Sequence, residues 1–336
     1  MAKNIVIIGG GPAGLEASAR LDALGYTVFL VEKESHTGGH LARWDRLFPE
    51  GTPAAPVLES LVSGTGNTKI LLESEVQSLN RLGKSFRVSL SSGVSVIADA
   101  VLFTTGFDLF DASRKEEYGY GIYDHVVTNA DIEGFFRNGS DPRIVNPERI
   151  GLVHCVGSRD EKAGCRNCSK VCCATAVKQA CELKAKFPKA TVYCFYMDLR
   201  LFGRSYEDLY LKAQKEYGVR FIRGRVSEVA EKIDKTLQVK AEDTLSSTPL
   251  KVTLDLLVLM AGMRPSEAGT KVGKMIRLEM NEDGYISTAD GFTGMQKTSV
   301  PGIFVAGAAT GPKTLPDTLA EARAAAVLIH EYLMEA

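Results

Sequence analysis

The β-branched run Ile5–Ile8 leads directly into three glycines, and a helical pattern follows through Leu15, Ala19 and Leu21 to Leu24. A strand over residues 3–8 and a helix stopped by Gly25 are predicted. Tyr26–Val31 reads as the next strand and ends in Glu32, which completes one strand–helix–strand unit. From Ile70 to Phe103 the alternation becomes strand-like and predicts antiparallel pairing.

Residues 107–149 are polar, aromatic and rich in turns, and read as a crossover. A second α/β unit is predicted from strand Ile150–Cys155, helix Ser169–Lys186 and strand Ala190–Phe195. Helix Tyr206–Tyr217, strand Val219–Arg223 and the apolar run Asp255–Gly262 complete it. The chain turns at Pro265 and is expected to rejoin the first unit through strand Gly302–Ala306 and helix Asp317–Met334. The expected fold is α/β with two domains. Residues 1–110 and 264–336 would make a discontinuous Rossmann-type domain, and residues 111–263 a second α/β domain.

The chain has 336 residues, 45% of them hydrophobic, which is enough for two ordinary cores. Its net charge of −1 argues against nucleic acid or an anionic membrane as partner. Arg200, Arg204, Arg220, Arg223 and Arg225 lie close in sequence and read as a solvated face or a docking patch. No apolar run approaches the roughly 20 residues of a membrane helix, and no export signal is recognised. With an odd count of seven cysteines, a cytoplasmic protein with ligand or redox thiols is expected.

Gly9-x-Gly11-x-x-Gly14 falls between the first strand and helix, with Glu32 eighteen residues beyond Gly14. Gly9 and Gly11 would allow the tight turn and the approach of a pyrophosphate, and Gly14 the close packing of helix on strand. The helix N-terminus favours phosphate charge, and Glu32 is placed to accept from ribose hydroxyls. Pro12, Ala13 and Lys33 flank these positions and complete the expected nucleotide contacts.

Thr298-Ser-Val-Pro-Gly302-Ile-Phe-Val-Ala-Gly307-Ala308 resembles the flavin-end motif of the two-dinucleotide flavoproteins, and favours FAD over NAD. In that superfamily an acid follows the last glycine, whereas Ala308 stands here. A helix start near Thr318 would turn its N–H groups towards the flavin pyrimidine. Gly39 and His40 resemble a flavin-contacting loop, and Gly106 joins the same expected set.

Five of the seven cysteines fall within residues 155–173. Cys155 is predicted at a strand end, and Cys168, Cys172 and Cys173 at a helix start with Ser169 as a candidate cap. Such a helix end lowers thiolate pKa and tolerates a negatively charged cluster. The spacing Cys-x12-Cys-x3-Cys-Cys admits an iron–sulfur cluster or structural zinc, while Cys165 and Cys168 form a CxxC that admits a redox disulfide. Cys181 and Cys194 read as small core residues. Lys178, five residues after Cys173, reads either as a proton donor towards flavin N5 or as an exposed helical lysine.

Cys155-Val-Gly-Ser-Arg-Asp-Glu, Cys168-Ser-Lys-Val-Cys172-Cys173 and Lys178-Gln-Ala resemble the signature of the heterodisulfide reductase A-subunit family. Gly106–Lys115, Glu117–Gly121, Tyr196–Arg200, Phe221–Arg225 and Gly311–Asp317 continue the likeness. The resemblance implies a thioredoxin-reductase-like two-domain flavoprotein fold with FAD, one [4Fe–4S] cluster on Cys155, Cys168, Cys172 and Cys173, and Lys178 facing the flavin. Longer family members carry further ferredoxin-like segments. Here the chain starts at the nucleotide fingerprint, and Glu50–Pro56 replaces the family's extra cysteines after Phe48-Pro49.

Flavin-based bifurcation is therefore not expected, and the short form resembles the A-type component of sulfur-oxidising heterodisulfide-reductase-like complexes. Partner subunits of B and C type, and a homodimer, are implied. Two other readings stand beside this one: a free NAD(P)H-dependent disulfide reductase using Cys165 and Cys168, and a zinc-stapled flavin-binding scaffold.

Overall fold

A computed structural model describes residues 3–335. In chain order its main elements begin with β1 (Asn4–Ile8), α1 (Pro12–Ala23), β2 (Thr27–Val31), α2 (Ala54–Ser63) and β3 (Lys69–Leu71). There follow β4 (Val76–Leu82), β5 (Ser85–Leu90), β6 (Ser95–Ala98) and β7 (Ala100–Phe103). Next come β8 (Val126–Thr128), α3 (Asn129–Asn138), β9 (Arg149–Val156), α4 (Cys172–Lys186), β10 (Thr191–Tyr196), α5 (Arg204–Lys215) and β11 (Arg220–Arg223). The chain continues through β12 (Val226–Glu231), β13 (Leu237–Asp243), β14 (Thr248–Leu254) and β15 (Leu256–Ala261). It closes with α6 (Glu267–Met275), β16 (Ile303–Val305) and α7 (Leu315–Glu335).

The chain divides into two compact units, residues 1–42, 54–108 and 264–336 in one, and residues 43–53 and 109–263 in the other. In the first, a parallel sheet runs β16-β7-β1-β2-β3. Ile5, Val6 and Ile7 are fully buried in its centre, which is why β1 is apolar without alternation. The antiparallel β4-β5-β6 lies beside it in the same core through Leu79, Phe86 and Val88. The pairing expected to be antiparallel throughout residues 70–103 is so only in this middle stretch. Its two ends, β3 and β7, pair parallel with β2 and β1.

The second unit has its own parallel sheet, β8-β15-β9-β10-β11, and a separate antiparallel meander, β12-β13-β14. β15 is buried at all six positions and is the central strand's neighbour. Two parts of this unit depart from the expected pattern. The crossover contains α3, whose start is a capping box between Thr128 and Asp131, an arrangement that stabilises a helix by about 1 kcal/mol. The meander fills residues 226–254, a stretch given no element beforehand although Leu237–Ala241 and Leu250–Leu254 alternate apolar and polar residues.

Helix α4 starts at Cys172, three residues later than expected, and no side chain caps it. Ser169 is engaged elsewhere: its hydroxyl bonds that of Ser158 and accepts from the Met263 amide at 2.8 Å. Cys168 consequently lies in the loop before the helix rather than in its first turn.

Candidate functional site

In the first unit, Gly9 takes a φ of +110°, and a Cβ there would overlap the Thr104 carbonyl. A Cβ on Gly14 would overlap the Gly9 carbonyl oxygen, whereas one on Gly11 would meet nothing within 4 Å. Gly11 is the N-cap of α1 without a side-chain cap, so the first-turn amides there face open space beside Pro12 and Ala13. This bare, glycine-lined helix end fits the pyrophosphate of a dinucleotide. Glu32, 7% exposed, accepts from the Gly10 amide at 2.8 Å through Oε2 and from the Glu34 amide at 2.9 Å through Oε1. The carboxylate therefore shapes the loop itself, and keeps lone pairs for a ribose. Lys33 is exposed.

Gly39 packs on Gly11, at 3.3 Å from where its Cβ would be to the Gly11 Cα. His40 stacks on Phe107 at 4.2 Å, and its Nε2 lies 2.9 Å from the Phe107 carbonyl. Gly106 has a φ of +66° and open space at its Cβ position. At the end of β16, the Gly307 amide donates to Glu321 Oε2 at 3.0 Å, and Glu321 pairs with Lys313 at 3.1 Å. A carboxylate thus stands at the last glycine although Ala308 is not acidic; it comes from α7, and sequence reasoning missed it. Thr314 takes up the Asp317 and Thr318 amides at 3.2 and 3.0 Å, so this helix start is capped from within.

In the second unit the thiols gather at the end of β9 and the start of α4. Cys155 Sγ lies 3.7 Å from Cys172 Sγ. Cys155 has a φ of +59°, a left-handed conformation uncommon for a residue with a side chain. Cys172 holds its proton: hydrogen bonding to Cys155 and then Cys173, together with burial, pushes its pKa well up. The bond from Cys172 lowers the Cys155 thiol. It also brings Cys173 down to about 4, helped by the neighbouring His154 imidazole.

Cys168 accepts from the Lys170 amide at 3.3 Å. The Arg159 guanidinium is under the influence of both Cys155 and Cys168. Cys165 is 2% exposed and bonds Asn167 Oδ1 at 2.8 Å. Burial pushes Cys181 up to about 12, and raises Cys194 further still. Among the described residues, no three Cys, His, Asp or Glu side chains stand ready around a single ion. The soft donor set, with Cys155 and Cys173 both shifted towards the thiolate, nevertheless fits a thiophilic group, with Cys168 as the fourth donor.

Lys178, 3% exposed, is no surface lysine. Its Nζ donates to Glu133 Oε1 at 2.6 Å and to the Arg46 carbonyl at 2.8 Å. Gln179 Nε2 donates to the same Glu133 oxygen at 2.7 Å. Glu182 lies one helical turn on, 3.4 Å from Lys178, and burial lifts its pKa to about 7. Glu133 and Glu182 were not legible as partners of Lys178; the sole signal was the i,i+4 spacing of Lys178 and Glu182.

Two Rossmann-type parallel sheets, one entered through a glycine-rich loop and the other ending in a thiol cluster, define a two-domain oxidoreductase of the flavin–disulfide class. The family model "Pyridine nucleotide-disulphide oxidoreductase" matches residues 173–326, and "NAD(P)-binding Rossmann-like domain" matches residues 7–58. Solved structures with this fold include thioredoxin reductase from T. acidophilum (TM-score 0.70, 18% identity, 99% of each chain). That from Lactococcus lactis is similar too (TM-score 0.71, 18% identity, covering 99% of this chain and 100% of that one).

The iron-sulfur A-type subunit of the CoB–CoM heterodisulfide reductase of Methanocaldococcus jannaschii is 32% identical over 96% of this chain and 63% of its own length. The A-type subunit of the ferredoxin:CoB–CoM heterodisulfide reductase of Methanosarcina mazei is 30% identical over 99% of this chain and 53% of its own. The chain belongs to the heterodisulfide reductase A-subunit family, and spans less than two thirds of the length of these relatives. No helix among the described residues is long and apolar enough to cross a membrane.

Proposed function

We propose that this chain is the FAD- and [4Fe–4S]-carrying electron-transfer subunit of a heterodisulfide-reductase-like complex in cytoplasmic sulfur oxidation. It would work as a homodimer beside B- and C-type subunits that perform the sulfur chemistry. The observation that carries the reading is the convergence of Cys155, Cys172 and Cys173 where β9 meets α4, in a chain of this family. The name of the Methanocaldococcus relative, which calls it an iron-sulfur subunit, supports the cluster. The thiol-free stretch Glu50–Pro56 supports the short, sulfur-oxidising form.

When bound, FAD exchanges electrons in pairs and a cluster exchanges them singly, so the two together convert one mode into the other. The chain's own residues bind and orient. Gly9, Gly11 and Gly14 with the α1 amides would hold the pyrophosphate, and Glu32 the ribose. Gly39, His40, Gly106, Gly307, Ala308 and Thr318 would line the flavin end in residues 1–110 and 264–336. Cys155, Cys168, Cys172 and Cys173 would ligate the cluster in residues 111–263. Lys178 would be the catalytic lysine, its Nζ held on Glu133 Oε1 at 2.6 Å.

The test is a count of iron, acid-labile sulfide, zinc and flavin on anaerobically purified protein. About four irons and four sulfides per chain are expected, with one FAD. Zinc without sulfide would overturn the cluster. Fast bleaching of the flavin by NADPH or NADH alone would favour a free-standing disulfide reductase instead.

A further inference from the structure

Two carboxyl groups flank the buried ammonium of Lys178, and the proposed function uses only one of them. Glu133 Oε1 lies 2.6 Å from Lys178 Nζ, and Glu182 Oε2 lies 3.4 Å from it. Glu133 is the counter-ion. Besides Lys178, Gln179 Nε2 donates to its Oε1 and the Asp45 amide to its Oε2. Glu182 stands one helical turn after the lysine on α4, which puts both on one face of the helix.

Charge balance sets the state of Glu182. Lys178 and Glu133 already make a neutral pair, so a second carboxylate would bring an uncompensated negative charge into a buried site. Burial lifts the Glu182 pKa to about 7, with Lys178 pulling it down and Glu133 and Asp45 pushing it up. The other charges on the packed elements have their own partners. On α3, Asp131 pairs with Arg143 at 2.9 Å, and beside the cluster Arg46 lies 3.6 Å from Asp45. From α5, Lys212 and Glu216 act on the neighbouring Cys181. Near neutral pH Glu182 therefore stands between acid and carboxylate, the condition under which a proton donor works best.

We propose that Glu182 is the proton store of Lys178, returning a proton to Nζ each time the lysine gives one up. The inference deepens the proposed function, because it rests on Lys178 being the catalytic lysine. The proton balance closes. One proton leaves Lys178 Nζ for the flavin once that holds two electrons, one passes from the Glu182 carboxyl to Nζ, and solvent restores the proton on Glu182. No electron passes through either side chain. A neutral amine is a stronger base than a carboxylate, so the transfer to Nζ runs downhill. It leaves Glu182 ionised beside a restored ammonium.

The first test needs no flavin. Carbon-13 NMR of the glutamate carboxyls in flavin-free protein should show one group titrating near pH 7, absent in Glu182→Gln. Glu133→Gln should move that titration down, because it removes the competing anion and leaves Glu182 as counter-ion. The second test is single-turnover reduction of the FAD-loaded chain by titanium(III) citrate in stopped flow. The rate should fall by about tenfold from pH 6 to 8, as Glu182 loses its proton. Glu182→Gln should be slow and flat over that range and meet the wild-type rate above about pH 8. Glu182→Asp should restore part of the slope. A Glu182 that served packing alone would change the rate equally at every pH.

No glutamate titrating between about pH 6 and 8 would overturn the store. The double variant Glu133→Leu, Lys178→Met, which strands no charge, tells the two failures apart. A rate profile unchanged there removes the role of the lysine, and the store with it. A profile changed there but unchanged in Glu182→Gln removes the store alone.

Discussion

Lys178 Nζ lies 2.6 Å from Glu133 Oε1, and both side chains are at most 5% exposed. The pair joins α4 to α3 inside one unit, and Glu133 also accepts from the Asp45 amide at 3.0 Å. Removing one partner leaves the other charged and buried. Glu133→Ala should destabilise the protein by about 3–5 kcal/mol, read as a lower urea midpoint. The double variant Glu133→Leu, Lys178→Met should lose much less, since no charge is left stranded. Equal losses in the two would show that the pair matters through packing alone.

Glu182 gives a pH dependence of definite sign. Burial lifts its pKa from about 4.5 unfolded to about 7 folded, against the pull of Lys178 and with the push of Glu133 and Asp45. Between those values the native state holds a proton that the unfolded state has released. Stability should therefore fall as pH rises from about 4.5 to 7 and level off above, by at most about 3 kcal/mol from this group. Glu182→Gln should flatten that slope and raise the melting temperature more at pH 8 than at pH 5. A slope unchanged by the substitution would exclude Glu182 as its source.

The nucleotide loop separates fold from binding. Gly14→Ala places a methyl group on the Gly9 carbonyl and should destabilise by about 1–3 kcal/mol or more. Gly11→Ala meets no protein atom within 4 Å. It should keep the melting temperature of flavin-free protein while lowering the FAD content of purified protein. Full FAD occupancy in Gly11→Ala would move the pyrophosphate away from this turn.

The thiols divide by serine substitution. Cys155→Ser, Cys168→Ser, Cys172→Ser and Cys173→Ser should each lose iron and the visible absorption of a cluster. Cys165→Ser should keep both, because that thiol is buried against Asn167. Iron lost with Cys165→Ser and kept with Cys168→Ser would exchange their roles.

Much of the fold was legible because it is local. A β-branched run, glycines and an apolar helix in direct succession specify β1–turn–α1–β2, and the second sheet announced itself through β9, β10, β11 and β15 in the same way. Helix α3 was signalled only by Thr128 and Asp131, a capping pair hidden in a turn-rich stretch. The meander β12–β14 was missed although Leu237–Ala241 and Leu250–Leu254 alternate apolar and polar residues; only β12, with a bulge between Val226 and Glu228, breaks the alternation. Ser169 looked like a cap, but Ser158 and the Met263 amide claimed its hydroxyl, and those partners are far along the chain.

The sequence by itself determined the two Rossmann-type units, the glycine loop, and a thiol-rich segment between a strand and a helix. Each of these is written in neighbouring residues, where spacing translates directly into geometry. Tertiary structure alone decided that Lys178 is buried on Glu133 and that Glu321 stands at Gly307. Those pairings join positions 45 and 14 residues apart. No local periodicity encodes such partners; they meet because burial of separate apolar faces brings their elements together.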